Sequence, residues 1–220
     1  MELNKINKIY MIGIKGVGMT MLAQYFSARG IEVSGSDIEE KFMTDEVLKK
    51  NKIKVIERFD AKNIPRGADL IIYSSAYNPE NNVEVGAIHE LPLRGKIKVL
   101  TYAQALGNVF NQKYGIAVVG SHGKTTTTAW LGFVMWEAGI NPNVMAGASV
   151  PQFGGAALTS QSDYLIIEAD EYQNKFTNLN PKGVILNNID YDHPDFFKNE
   201  KEYMDVFIEF IKKIYNYKFQ

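Results

Sequence analysis

The stretch AVVGSHGKTTTTAWL, residues 117–131, sets a glycine-flanked turn, a lysine and a row of threonines between an apolar run and a helix-like segment. Residues Ile116 to Val119 read as a buried strand, and the residues after Lys124, with Ala129, Leu131, Phe133 and Val134, as a packed helix. A turn between a strand's carboxyl end and a helix's amino end gathers unpaired N–H groups and the positive end of a helix dipole, which suits a phosphate. The spacing departs from G-x-x-x-x-G-K-[ST], since Val118 stands where the first glycine belongs, so the loop is shorter. Its residues are Gly120, Ser121, His122, Gly123, Lys124, Thr125 and Thr126. The two glycines permit the turn, Lys124 is placed for β- and γ-phosphate oxygens, and Thr125 for a magnesium ion. The plain alternative is a strand–turn–helix connection whose threonines cap the helix.

Two acidic stretches follow. In YLIIEADEYQNKF, Glu168, Asp170 and Glu171 gather at the end of an apolar strand, where open α/β sheets place ligands. One carboxylate there would hold the magnesium that bridges phosphates, whereas a solvated acidic turn would bind nothing. In LNNIDYDHPDFF, Asn188, Asp190, Asp192, His193 and Asp195 follow another buried strand, and imidazole can join carboxylates around a divalent ion. His89 has no such company and reads as structural. Nearer the amino terminus, IGIKGVGMT spaces Gly13, Gly16 and Gly18 as G-x-x-G-x-G, which is not the dinucleotide fingerprint. A pyrophosphate could rest on that loop, with Asp37 of SGSD at the end of the next strand, where an acidic residue often meets a ribose hydroxyl. A structural tight turn explains the same glycines.

The elements that must position these groups alternate. The segments KIYMIGI, MTMLAQYFSARG, IEVSGSD, TDEVLKKNK, IKVIE and ADLIIYSS argue for parallel strands with covering helices. A second series starts at YGIAVVGS and continues through the helix from Lys124 to about Ala138, then the strands DYLIIEAD and KGVILNNID. The fold expected is α/β: a Rossmann-like parallel-sheet domain over residues 1–112, then a P-loop-type α/β domain over 113–220, joined near ALGNVFNQKYG. Tyr203, Val206, Phe207, Phe210, Ile211 and Ile214 mark an amphipathic last helix. Three confident strands are few for a doubly wound second domain, so further elements are expected beyond Gln220.

Composition narrows the partners. With 24 basic against 25 acidic residues there is no global electrostatic case for nucleic acid or an anionic membrane. Without cysteine there are no disulfides and no thiol chemistry, which fits a reducing compartment. No run approaches the ~20 apolar residues of a membrane span, and the first residues lack the core of a signal peptide, so a cytoplasmic protein is expected. Oligomeric state is not legible.

Taken together, GIKGVGMTMLA, VSGSD, YSSAYNPEN, GSHGKTTTT, EADE and NNIDYDHPD resemble the Mur ligases, ATP-dependent amino-acid ligases of peptidoglycan precursor synthesis. The resemblance runs through nearly the whole chain, in the family's order. It implies three domains, for a UDP-sugar, for ATP, and for ATP with the incoming amino acid, of which this sequence accommodates the first and part of the second. It further implies ATP and Mg2+ as cofactors, and UDP-N-acetylmuramate and an amino acid, foremost L-alanine, as substrates. By the match, Lys124, Glu168 and His193 are catalytic: Lys124 steadies the γ-phosphoryl group, Thr125 and Glu168 bind one magnesium, and His193 a second. Gly16, Val17 and Gly18 offer N–H groups to the UDP pyrophosphate, with Asp37, Ser74 and Ser75 as neighbours. Ser121 departs from the threonine commoner in the family's loop but keeps the hydroxyl. The LNNIDYDHPDFF stretch also resembles a ligase of the family that returns murein tripeptide to the same UDP-sugar, whereas GVGMT and YSSAYNPEN look more like the members that add alanine. A nicotinamide-dependent oxidoreductase and a non-catalytic nucleotide-sugar-binding module are the readings outside this chemistry.

Overall fold

The computed structural model describes residues 5–90, 97–171 and 177–216, and divides into two compact units, Met1–Ala105 and Leu106–Gln220. The first unit runs β1 (Lys8–Ile12), α1 (Val17–Ser27), β2 (Glu32–Ser36), α2 (Asp45–Lys50), β3 (Lys54–Ile56), β4 (Leu70–Tyr73), α3 (Val83–Glu90) and β5 (Lys98–Thr101). Its strands form one parallel sheet in the order β3-β2-β1-β4-β5. In the central strands KIYMI and LIIY the residues Ile9–Ile12 and Leu70–Ile72 are buried, as a central parallel strand requires. The chain leaves β1 for β2 on one side and later returns as β4 on the other. The turn after β1 therefore opens into the crevice where such sheets bind ligands.

A fully buried carboxylate stands behind that turn. Glu84 of α3 accepts hydrogen bonds from the Tyr10 hydroxyl, Ser36 Oγ, Asp60 N (3.0 Å) and Asn63 Nδ2 (2.8 Å). Several donors are needed to hold a charge away from water. Burial, with Glu84 close by, pushes the Tyr10 hydroxyl well above the usual tyrosine range, so it stays protonated as a donor. Ser36 in turn accepts Gly13 N (2.9 Å) and Ile14 N (3.2 Å) on its carbonyl, so the Glu84 network reaches the glycine loop through one residue.

The stretch read as a junction is largely helical. Helix α4 (Tyr102–Phe110) begins with a reciprocal cap, in which Thr101 Oγ1 accepts Gln104 N at 3.2 Å and Gln104 Oε1 accepts Thr101 N at 3.0 Å. The division between units falls inside this helix, and Gln112 lies in the turn beyond it.

The second unit continues with β6 (Tyr114–Val119), α5 (Lys124–Glu137), β7 (Asn143–Val150), β8 (Gly155–Leu158), β9 (Tyr164–Glu168), β10 (Gly183–Leu186) and α6 (Glu200–Asn216). The sheet order is β10-β6-β9-β7-β8, parallel except for the β7–β8 pair. The sequence reading lacked β7 and β8, whose NVMAGASV and GAAL are rich in small residues with little strand preference. Strand β6 lies between β9 and β10, with Val118 opposite Glu168 and Val119 opposite Leu186. The turn after β6 is thus flanked by the acidic stretch after β9 and the Asn187–Asn188 stretch after β10. Among the described residues no helix is long and apolar enough to cross a membrane.

Candidate functional site

The turn between β6 and α5 closes on two left-handed glycines, Gly120 (φ 131°) and Gly123 (φ 74°). A Cβ on Gly120 would lie 2.8 Å from the Asn188 carbonyl oxygen, so the loop can pass this close to the segment after β10 only with glycine there. Helix α5 starts at Gly123 without a side-chain cap, and Thr127 N is the amide that bonds back to the Gly123 carbonyl, at 3.0 Å. The amides ahead of it face out of the helix end, as an anion requires.

Neighbouring strands fix the loop. Asn188 Oδ1 accepts His122 N at 2.9 Å, and Asn187 Nδ2 and Asn188 Nδ2 donate to the His122 carbonyl at 3.1 and 3.2 Å. Asn187 Nδ2 also reaches Thr127 Oγ1 at 3.1 Å. The His122 ring is exposed, with Nε2 3.8 Å from Asp190 Oδ2, and Thr126 is exposed on the first turn of α5. Ser121 Oγ donates to the Asp190 carbonyl (2.6 Å), accepts Asp190 N (2.8 Å) and lies 2.8 Å from the Tyr203 hydroxyl.

The chemistry-bearing side chains form two groups around Lys124. In the first, Glu168 Oε2 accepts both Thr125 Oγ1 and Gly147 N, each at 2.7 Å. In the second, Asp170, Glu171 and His193 each bring one ligand-capable atom to within 4.8 Å of the others, with His193 Nε2 3.9 Å from Glu171 Oε1. The Lys124 ammonium folds back to the Gly120 carbonyl at 2.6 Å and stands 3.5 Å from Glu171 Oε2. Glu171 is fully buried, and its Oε2 accepts no hydrogen bond. A buried carboxylate oxygen in that condition calls for a cation. Tyr203 donates to the other oxygen, Oε1, at 2.9 Å. Burial raises the Tyr203 hydroxyl above its ordinary range; the Ser121 hydrogen bond opposes the rise and Glu171 adds to it, so the phenol remains a donor.

The structure therefore puts the expected residues Gly120–Gly123 in one turn and Lys124–Thr126 on the first turn of α5, joins Thr125 to Glu168, and groups His193 with Asp170 and Glu171. Residues 172–176 of the stretch read as EADEYQNKF lie outside the described residues. Asn187 and Tyr203 are members that residue-by-residue reading passed over.

In the first unit, Gly16 precedes α1, and Val17 and Gly18 open it without a side-chain cap. A Cβ on Gly18 would lie 2.6 Å from the Tyr102 ring, so the small residue is also demanded by packing. Asp37 is buried: its Oδ2 accepts Lys15 N at 2.7 Å, and its Oδ1 accepts Ile38 N at 2.9 Å and the Tyr77 hydroxyl at 3.4 Å. It ties the glycine loop to the end of β2. Ser74 is partly buried, with Oγ accepting Ala76 N at 3.3 Å, and Ser75 is exposed.

A glycine loop at the crevice of one parallel sheet, followed by a glycine-flanked turn with Lys124 between two carboxylate groups in the next, is matched by known families on both halves. The family model "Mur ligase family, catalytic domain" matches residues 8–114, and "Mur ligase middle domain" matches residues 118–219. The chain belongs to the Mur ligase family. It is 40% identical over 217 residues to the UDP-N-acetylmuramate–L-alanine ligase of Borrelia garinii, covering 97% of this chain and 46% of the relative. It is 42% identical over 207 residues to the ligase of the same name from Desulfitobacterium hafniense, covering 94% and 44%. Among solved structures it is similar to the UDP-N-acetylmuramate:L-alanyl-γ-D-glutamyl-meso-diaminopimelate ligase of Neisseria meningitides, with TM-score 0.82 and 30% identity over 95% of this chain and 68% of the other. The UDP-N-acetylmuramate–alanine ligase of Thermotoga maritima superposes with TM-score 0.78 at 27% identity, covering 94% and 46%. The chain thus spans about half the length of the curated relatives it matches.

Proposed function

We propose that the chain is the UDP-sugar-binding and nucleotide-binding part of a cytoplasmic ligase that joins L-alanine to UDP-N-acetylmuramate. The observation that carries this reading is Lys124 at the start of α5, set between the Thr125–Glu168 pair and the Asp170–Glu171–His193 group. The reaction passes a phosphoryl group from ATP to the lactyl carboxylate of the sugar. The amine of the amino acid then attacks the acyl phosphate, and the tetrahedral adduct collapses to amide and inorganic phosphate.

Phosphoryl transfer asks a protein chiefly for positioning and for neutralisation of charge on the non-bridging oxygens. The loop amides and the end of α5 seat the phosphates, and the Lys124 ammonium exchanges the Gly120 carbonyl for the β- and γ-phosphate oxygens. Thr125 and Glu168 are the pair to hold one magnesium, and His193 with Asp170 and Glu171 are the groups to hold a second beside the acceptor carboxylate. The buried Glu171 Oε2, which accepts no hydrogen bond and has the Lys124 ammonium 3.5 Å away, is the observation that fits a cation there. Magnesium in these positions supplies positive charge to the transferring oxygens. In the first unit, Val17 and Gly18 offer N–H groups to the pyrophosphate of the UDP-sugar, Gly16 N would join them by leaving the Gly13 carbonyl it holds at 3.4 Å, and Asp37 holds the loop through Lys15 N. Ser74 and Ser75 stand on the turn after β4, at the same edge of that sheet.

The Neisseria structure favours a second amine donor, the murein tripeptide, on the same UDP-sugar. The 40% and 42% identity to the alanine ligases of Borrelia garinii and Desulfitobacterium hafniense, against 30% to the Neisseria enzyme, puts alanine first.

Calorimetric titration of the chain with UDP-N-acetylmuramate and, separately, with NAD tests the reading. Saturable binding of the UDP-sugar and none of NAD is the expected result. Binding of NAD alone, or of neither by a folded chain, would overturn it in favour of a dinucleotide enzyme or of no nucleotide site in the first unit.

A further inference from the structure

Helix α6 places a phenol where none of the phosphate-loop chemistry calls for one. Tyr203 is fully buried, and its ring packs edge-on against Tyr191, Phe197 and Phe207 at centroid distances of 6.0, 5.1 and 5.2 Å. Only its hydroxyl is engaged in polar contacts, with Ser121 Oγ at 2.8 Å and Glu171 Oε1 at 2.9 Å. Proton accounting orders these contacts. An ionised Glu171 can only accept, so the phenolic proton goes to it. The Ser121 proton is then shared between the Asp190 carbonyl and the phenolic oxygen, while Asp190 N donates to Ser121 Oγ. The result is a directed chain from the phosphate loop through α6 to the acidic group, across 82 residues of sequence on one side and 32 on the other.

Glu171 has two oxygens in different conditions. Oε1 is held by Tyr203, and Oε2 is buried without a hydrogen bond, 3.5 Å from the Lys124 ammonium. Fixing Oε1 fixes the rotation of the carboxylate and so aims Oε2 at the cation side of the loop. We propose that Tyr203 is a positioning residue of the nucleotide site, whose hydroxyl locks Ser121 of the phosphate loop to Glu171 so that the free carboxylate oxygen is presented to Lys124 and to the metal that accompanies the nucleotide. The proposal rests on reading the second unit as a magnesium–ATP site. It assigns this chain's Ser121 a role that a hydroxyl fills and an alanine does not.

The test uses the 220-residue chain and a non-hydrolysable ATP analogue titrated at a series of magnesium concentrations, with thermal unfolding recorded for each variant. Tyr203→Phe keeps the ring cluster and deletes one oxygen. It is expected to raise the magnesium concentration at half-saturation by roughly tenfold or more, the effect of losing one hydrogen bond to a charged group. Ser121→Ala, made from the other end of the chain, is expected to shift it in the same direction, and the double variant to be no worse than the more severe single one. A merely structural hydroxyl would lower the unfolding midpoint and leave the magnesium dependence of the folded protein within twofold of wild type. That result, or additive shifts in the double variant, would overturn the proposal. If Tyr203→Phe does not fold, Ser121→Ala alone decides between the same two outcomes. Failure of the wild-type chain to bind the analogue at any magnesium concentration would instead overturn the nucleotide-site reading on which the proposal stands.

Discussion

A Lys124→Ala chain is expected to bind a magnesium–ATP analogue roughly 50-fold more weakly than wild type, on the scale of a charge-assisted hydrogen bond of about 2–3 kcal/mol. The ammonium that would meet the phosphate oxygens rests now on the Gly120 carbonyl at 2.6 Å, a neutral acceptor it can exchange for an anionic one without leaving the loop. Truncation also strips Glu171 of the cation 3.5 Å from Oε2, an oxygen that accepts no hydrogen bond, and the carboxylate remains fully buried. The variant should therefore unfold at lower urea concentration as well, because a buried charge that loses its partner is destabilising. Lys124→Arg should restore little of the affinity, since a planar guanidinium does not fit the space of a compact ammonium beside the loop carbonyls. Fluorescence titration of a labelled ATP analogue, paired with urea unfolding, separates the two effects. Affinity within about threefold of wild type in a folded Lys124→Ala chain would remove Lys124 from the site.

The second large effect belongs to the backbone. Gly120→Val forces a β-branched residue to φ 131° and brings its Cβ to 2.8 Å from Asn188 O and 3.1 Å from Asn188 N, both of them main-chain atoms of the strand end after β10. Neither the conformation nor the contact can be relieved by a side-chain rotation. A loss of about 3 kcal/mol or more in the stability of the second unit is expected, together with loss of nucleotide binding as the loop parts from Asn188. UDP-sugar binding by the first unit should persist, because its glycine loop is fixed by Ser36 and Asp37. Gly123→Ala is the milder control: its φ is 74° and its nearest neighbour is a side-chain amide at 3.2 Å, which can move. Scanning calorimetry with parallel titrations of both ligands reads the difference. Unchanged nucleotide affinity in Gly120→Val would mean that the loop does not need the conformation seen.

Much of the site was legible because its chemistry is local in sequence. The turn Gly120–Thr125, the carboxylates around Glu168 and the cluster around His193 each follow an apolar strand, and parallel topology brings the ends of those strands together. Sequence order alone did not say which acid would join which partner. The register that sets Val118 opposite Glu168 and Val119 opposite Leu186 puts Glu168 beside Thr125, and leaves His193 with Asp170 and Glu171. Tyr203 was visible as one member of the apolar stripe of α6, and a tyrosine in such a stripe reads as core; nothing near it announces a partner 82 residues away. Asp37 illustrates the converse: its place at the end of β2 fits a ribose ligand, but both of its oxygens accept hydrogen bonds from the protein. One local signal was there to be used. Thr101 and Gln104 have the spacing of a capping box, and they start helix α4, which runs into the stretch read as a junction.

The most direct measurement is a crystal structure of the chain grown with magnesium and a non-hydrolysable ATP analogue. The analogue's phosphates are expected against the amides of residues 120–125, with the Lys124 ammonium moved from the Gly120 carbonyl to a phosphate oxygen and magnesium between Thr125 and Glu168. Phosphates seated at the glycine loop of the first unit, or a nucleotide bound with Lys124 still on Gly120 and no metal at Glu168, would contradict this placement.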